Sequence, residues 1–442
     1  MSDELAALEA SRAKDVAPAP GLARTALLLL PLQAVFRGGE ALLPLFLAAW
    51  FGRNEQTDLY YLLAAYFVFA GAILTGAFQD SAVVPVLIEV ESSEPARFPA
   101  IAGALLGHTL AIGAAVAGAM GAIAAVVALC TSHSRGLALA LVGVMSVGIM
   151  VTAVRAFYAG LLNARGIFHG HPIGSGLGMG VTLGVLYGWR SLGILIVPFG
   201  LLAGELVAVV VLSRMARRAL GTAIAPSLAR PEPVRRIFSL VRLEVAGSLI
   251  TRINPVIDQL MAGLAAVVGG GTLLRYAGDV ASLPTSILQA VLFPVLLTRL
   301  AREAKRPAAF AATTRRTLAA VVALLAGLSA LFVAFRAPLC TLLFLHGNMD
   351  PAGVARIADI LPWALAGAAP FGALLVLARA HVAQQNSRIM PGMGVLNSTL
   401  NAVFNLALVG RLGLAGIALS TSLTYVVVAV VFWIRLPRAA GA

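Results

Sequence analysis

The sequence predicts an all-α integral membrane protein with about twelve transmembrane helices. Three observations predict it. The 442 residues are 60% hydrophobic and 12% charged, with a mean hydropathy of +0.93; no soluble domain keeps that balance. Roughly a dozen apolar stretches run from about Arg24 to Trp433, each near the ~20 residues that cross a bilayer. Arginine-rich gaps follow every second stretch. One holds Arg214, Arg217, Arg218, Arg230, Arg235 and Arg236, and the next rich gap holds Arg299, Arg302, Lys305, Arg306, Arg315 and Arg316. The gaps between are short and nearly neutral. The positive-inside rule turns this alternation into a topology with both chain ends in the cytoplasm.

The twelve spans fall at 24–51, 59–88, 98–130, 136–163, 172–187, 192–213, 237–268, 272–298, 317–346, 353–381, 391–409 and 413–434. The Arg-poor loops carry about one basic residue each: Arg53, Arg135, Arg190 and Arg411. Residues 1–23 read as a cytoplasmic tail, because MSDELAALEASRAKDVAPAP is mixed in charge and ends in prolines. Residues 24–213 form the first six-helix bundle, 214–236 a basic cytoplasmic linker with Pro226, Pro231 and Pro233, 237–435 the second bundle, and 436–442 a short tail. The halves echo each other. Span 4 leads into LNARGIFHGHP and span 10 into AQQNSRIMP, and each is followed by a helix, a turn with one Arg, and a helix beginning Leu-Gly. Such parallel repeats are frequent in transporters, with the binding site between the halves.

Charges inside the bilayer are costly and usually face a cavity or a partner. Span 1 has Arg37 and Glu40, three apart on one face. Span 2 has Gln79 and Asp80; span 7 has Arg242, Glu244, Arg252, Asn254 and Asp258; span 8 has Arg275 and Asp279, four apart. Spans 11 and 12 carry Asn397, Asn401, Asn405, Thr421, Ser422 and Thr424. Spans 3, 4, 5, 6 and 9 read as apolar in their middles, Glu205 excepted. The pattern predicts a polar cavity lined by the first two helices of each half. Arginines there suit a phosphate-bearing substrate, because the guanidinium fork matches phosphate oxygens. Self-paired charges that only hold helices together are the structural alternative. GSGLGMG (174–180) reads as a small-residue packing face rather than a dinucleotide fingerprint.

The same reading excludes other classes. The net charge of +13 does not indicate nucleic acid, since the arginines sit in short loops beside apolar segments rather than on one basic face. There is no Gly-Lys pair for a Walker loop, no HExxH, and no Asp-x-Asp for metal-bound sugar nucleotides. Cys130 and Cys340 end different spans and form no metal or redox motif. Catalysis is not expected, and no cofactor is expected beyond an inorganic ion.

Five stretches, in order, resemble the MurJ (MviN) family of lipid II flippases, within the wider MATE and polysaccharide-flippase superfamily. They are GRNEQTDLYYLL with Asp58, LLNARGIF (161–168), YAGDVASLPTSILQAVLFPVLLTRLAR, PLCTLLFLHGNMD, and NAVFNLALVGRLGLAGIALSTSL. The resemblance implies two six-helix bundles meeting in a V around a cationic cavity. It also implies alternating access, with the headgroup crossing through the cavity while the lipid tail stays in the bilayer. Arg37 aligns with a functional arginine of the family's first helix. Asp258, Asn401, Asn405 and Thr421 align with positions that bind sodium in some members, and oxygen-bearing residues suit a hard cation. Five positions depart from the family. Its key helix-8 arginine falls at Asp279, with Arg275 one turn earlier, and a nearby acid at Ser282; a second helix-1 arginine falls at Pro31; its helix-2 arginine is missing from VFAGAIL; a helix-11 position that can be Asp in the family is Asn405 here. Many members also carry two further C-terminal helices.

The sequence therefore predicts a flippase for a polyprenyl-diphosphate-linked saccharide in the inner membrane. Arg37, Arg252, Arg275, Asp58 and Asp279 would face the substrate, and Asp258, Asn401, Asn405 and Thr421 would form a sodium site. Lipid II is the expected cargo. An exopolysaccharide or O-antigen repeat unit is the alternative, and a non-transporting partner of cell-wall synthesis proteins is a third reading.

Overall fold

In a computed structural model that describes residues 38–76, 83–239, 253–303, 306–384, 386 and 388–436, every regular element among those residues is helical. The first bundle holds α1 (Gly38–Phe51), α2 (Glu55–Gly76), α3 (Val83–Ser93), α4 (Phe98–Thr131), α5 (Arg135–Ala164), α6 (Gly170–Trp189) and α7 (Ile196–Leu220). A short helix, α8, covers 232–239. The second bundle holds α9 (Asn254–Leu264), α10 (Gly270–Glu303), α11 (Pro307–Ala334), α12 (Arg336–Phe344), α13 (Pro351–Leu365), α14 (Ala368–Ala383), α15 (Ile389–Leu412) and α16 (Leu414–Arg435). Seven helical stretches among the described residues are long and apolar enough to cross a membrane. The protein is thus a multi-pass membrane protein. Spans 1, 2 and 7 extend beyond the described residues, so the count of twelve rests on the sequence.

The two bundles repeat one packing plan. In the first, α4 packs on α5, α6 on α7, α5 on α7, and α2 on α5. In the second, α11 packs on α14, α15 on α16, α14 on α16, and α10 on both α13 and α14. These are corresponding pairs, which gives the weak sequence echo a structural basis. The α6–α7 pair approaches closely because Gly178 faces Gly204, and a Cβ on Gly178 would sit 2.5 Å from the Gly204 carbonyl oxygen. Small residues on facing positions permit this approach, as read from GSGLGMG. Between α15 and α16 the chain turns at Gly413 with φ +55°, a conformation that L side chains rarely adopt.

Two spans that read as continuous are broken. Span 9 divides at Phe335 into α11 and α12, and span 10 at Ala366–Gly367 into α13 and α14. The second break lies between Pro362 and Pro370, which remove backbone donors. The Ser422 hydroxyl of α16 donates to the Trp363 carbonyl at 2.6 Å, satisfying an oxygen at that break. The linker also differs from expectation. Arg214, Arg217 and Arg218 lie on the last turns of α7, and the extended stretch begins only after Gly221. That stretch is packed on α4, where the Ser227 N–H donates to the Gly103 carbonyl at 3.0 Å. Arg236 then joins α8 to α3 by donating to Glu89 at 2.9 Å.

Candidate functional site

Two cavities of about 480 Å³ each lie side by side inside the protein. The first belongs to the second bundle. It is lined from α9 by Asp258 and Gln259, from α10 by Arg275, Asp279, Ser282 and Ser286, and from α14 and α16 by Phe371, Thr421 and Tyr425. Arg275 and Asp279 are one turn apart on α10, as their spacing predicts, and pair through Nε at 3.0 Å. The pair engages the Nε edge of the guanidinium, and the side chain, 48% exposed, borders the cavity.

Asp258 anchors a polar cluster on one wall of this cavity. Its Oδ1 accepts from Asn405 Nδ2 at 2.8 Å, and its Oδ2 from the Thr421 hydroxyl at 3.3 Å. Asn401 Nδ2 donates to Thr421 Oγ1 at 3.0 Å, Asn405 Nδ2 to Asn401 Oδ1 at 3.2 Å, and Ser420 Oγ to Asn405 Oδ1. Asn401 and Asn405 are fully buried. All four residues aligned with the ion site therefore converge, from α9, α15 and α16. In the arrangement seen, the Asn405 amide nitrogen stands between two oxygens. Turning that amide over presents Oδ1 to the cluster, and Ser420 Oγ keeps its donation to the Ile417 carbonyl at 2.8 Å. The set then offers oxygens from one carboxylate, two amides and a hydroxyl, which fits a hard monovalent cation.

The second cavity lies within the first bundle, among α1, α2, α5, α6 and α7. Its polar lining is Glu40, Arg155, Ser175, Thr182 and Glu205, with Arg275 reaching in from α10. Arg155 of α5 donates through Nε to Glu205 of α7 at 2.6 Å, with side chains 14% and 28% exposed. Tyr61, Ala64 and Arg275 line both cavities, so the two are divided by a ridge built from α2 of one bundle and α10 of the other. Tyr61 packs edge-on against Tyr276 (centroids 5.6 Å apart), and Tyr276 stacks on Phe344 at 5.2 Å, which fixes the ridge.

The bundles are joined at the Arg-poor end. Asp58, near the start of α2, accepts from both the backbone N–H and the hydroxyl of Thr272, each at 2.8 Å, at the N-terminus of α10. A carboxylate there also meets the positive end of that helix. Arg53 donates to Asp350 from Nε and Nη2 at 2.7 and 2.9 Å, and from Nη1 to the Val268 carbonyl at 3.0 Å. Asn348 donates to the carbonyls of Ala49 (2.8 Å) and Trp50 (2.6 Å). Among the described residues, the hydrogen bonds between the bundles all lie at this end.

The Arg53–Asp350 pair has a defined pH range. Its hydrogen bonds hold the Asp350 carboxyl below the usual carboxylate range, so the pair is intact above that range and is lost only as pH falls through the lowered value. In an Asp58→Asn background, which removes the neighbouring carboxyl that burial pushes up, the distance between spin labels at Glu55→Cys and Ala352→Cys, two exposed positions flanking the pair, is therefore expected to stay constant from pH 5 to 8. A change in that background is expected only in strongly acidic buffer. A change across neutral pH would show that another group controls this end.

The positions read from sequence separate into three groups. Arg275, Asp279, Asp258 and Thr421 line the cavity of the second bundle. Asp58, expected to face the substrate, lies outside both cavity linings, in the contact that closes the Arg-poor end. Arg37 and Arg252 lie outside the described residues, as do Gln79, Asp80, Arg242 and Glu244. The expectation that the first two helices of each half line the cavity is too narrow. Spans 10 and 12 line one cavity and spans 4, 5 and 6 the other. Arg155 was missed, because a single arginine inside a span that is otherwise mostly apolar does not alter its character. The signal available was complementarity: Arg155 and Glu205 are the central charges of spans 4 and 6.

The sequence profile of the lipid II flippase MurJ family matches residues 47–442. The chain belongs to this family. The solved structures agree at the level of fold. A lipid II flippase MurJ structure described as an inward closed conformation superposes with a TM-score of 0.76 at 15% identity, covering 92% of this chain and 87% of that one. A multidrug resistance MATE family transporter of the MOP superfamily, in an inward-facing conformation, gives 0.70 at 13% identity over 91% and 93% of the two chains. A MOP superfamily transporter from Pyrococcus furiosus gives 0.61 at 13% identity over 92% and 93%. No curated protein matches the sequence. The MurJ assignment agrees with the five motif stretches, all of which lie wholly inside the matched region.

Proposed function

We propose that this protein moves lipid II across the cytoplasmic membrane by alternating access, with both chain ends in the cytoplasm. The family assignment and the arginine alternation support this reading. The observation that carries it is the paired cavity, bordered by Arg275, with the hydrogen bonds between the bundles gathered at the Arg-poor end among the described residues. With that end outward, the arrangement is the one that receives a headgroup from the cytoplasm. Arg275, together with Arg37 and Arg252, engages the diphosphate; Asp258, Asn401, Asn405 and Thr421 hold the coupling sodium ion. Membrane lipids surround the bundles, and the polyprenyl tail remains among them. The protein acts as a carrier and not as an enzyme.

The test is replacement of a host's own lipid II flippase by this protein, scoring lipid II exposed on the outer leaflet. Rescue by the wild type and failure of Arg37→Ala are expected. Failure of a stably expressed wild type overturns the reading. The ion assignment has its own test in purified protein. Sodium at about ten times its dissociation constant stabilises the protein by about 1.4 kcal/mol over equal choline. Asp258→Asn is expected to abolish that difference in thermal unfolding. Equal unfolding of the wild type in both salts would remove sodium from the site.

A further inference from the structure

The two cavities differ in chemistry, and the difference matches the parts of one substrate. The cavity of the second bundle offers hydroxyls and amides from Ser282, Thr285, Ser286 and Gln289, beside the rings of Phe371 and Tyr425, whose centroids are 4.8 Å apart. Hydroxyl partners and aromatic faces suit a saccharide, which carries hydroxyls along its edges and C–H groups on its faces. The cavity of the first bundle carries charges of both signs, from Arg155, Glu205 and Glu40. A disaccharide bearing a diphosphate and a peptide exceeds the drug-sized ligands that a cavity of about 480 Å³ encloses. The two compartments meet at Arg275, which borders both.

We propose that the headgroup divides at the Arg275 ridge, with its sugars in the second-bundle cavity and its zwitterionic peptide in the first-bundle cavity, where Glu205 takes the peptide amine and Arg155 a peptide carboxylate. This rests on lipid II being the cargo. An ion pair inside a span is costly and is kept where it has a partner or a pathway to serve. Arg155 and Glu205 satisfy each other at 2.6 Å across α5 and α7, and both border open cavity volume. A peptide entering with an amine and a carboxylate exchanges one pair for two, so neither charge is left unpaired.

The proposal makes affinity depend on the peptide in a way that a structural staple does not. Binding is measured on the full-length protein in nanodiscs with three ligands: lipid II, the same lipid-linked disaccharide diphosphate without the peptide, and lipid II acetylated on its peptide amine. The wild type is expected to bind lipid II about tenfold more tightly than the acetylated ligand, the loss of one charge-assisted hydrogen bond, and more than tenfold more tightly than the peptide-free ligand, which lacks both charged contacts. Glu205→Gln is expected to bind native and acetylated lipid II equally. Arg155→Leu/Glu205→Leu, an apolar pair of similar bulk, is expected to bind lipid II no better than the peptide-free ligand. The ligand series on unaltered protein keeps the test valid if that double variant fails to fold. Discrimination retained in Glu205→Gln, or a wild type indifferent to the peptide, overturns the proposal. A wild type that binds none of the three ligands overturns the lipid II reading, and the divided headgroup falls with it.

Discussion

Replacing Asp58 with alanine is expected to open the Arg-poor end. The carboxylate accepts two hydrogen bonds from Thr272 at 2.8 Å, one from a backbone N–H at the start of α10 and one from the side chain. Thr272 is fully buried, so the alanine leaves its donors without this acceptor. A charge-assisted bond of this kind contributes about 1.5–3 kcal/mol, which changes the ratio of closed to open forms about 10- to 100-fold. The spin-label pair at Glu55→Cys and Ala352→Cys reads this directly, as a second, longer distance in the Asp58→Ala protein. Asp58→Asn keeps an accepting oxygen and loses the charge, so its longer population is expected to be smaller. Identical distance distributions in all three proteins would show that the remaining contacts of Arg53 and Asn348 hold this end without Asp58.

Arg275→Ala is expected to lower lipid II exposure on the outer leaflet about 10- to 100-fold. The guanidinium is shared by both cavities, and in the role proposed for it its loss removes a charge-assisted contact to the diphosphate of about 1.5–3 kcal/mol. It also leaves Asp279 facing the phosphates without the cation that pairs with it at 3.0 Å. That repulsion is separable. Arg275→Ala/Asp279→Ala is expected to recover part of the activity, whereas Asp279→Ala alone is expected to retain transport. Arg275→Lys keeps the charge without the bidentate fork and is expected to fall between. Wild-type exposure of lipid II by a stably expressed Arg275→Ala would remove Arg275 from the substrate path.

The fold class and the bundle division were legible because the bilayer imposes them on composition. Apolar length and arginine placement are properties of the chain itself, and α4, α5, α6 and α16 fall within a few residues of their expected bounds. The break at Phe335 was not legible, and the one at Gly367 was signalled only by the flanking Pro362 and Pro370. Apolar residues continue on both sides of each, so hydropathy passes through them, and the oxygen at the second break is satisfied by Ser422, far away in sequence. The polar cluster around Asp258 was legible through family resemblance, whose aligned positions come together from three helices. Arg275 and Asp279 were legible from spacing alone. Asp58 was placed with the substrate because an acid at the end of a span looks the same in sequence whether it faces a cavity or caps a helix of the other bundle. Only its partner, Thr272, 214 positions away, distinguishes the two.

The ridge between the cavities belongs to neither bundle, since Tyr61 and Ala64 come from α2 and Arg275 from α10. In the alternating access proposed above, the partition comes apart as the bundles rock apart, and a cargo lying across it would become the bridge that the two walls no longer provide. The occupied carrier would then have a crosspiece that the empty one lacks, and the return journey would be made by a looser molecule than the outward one.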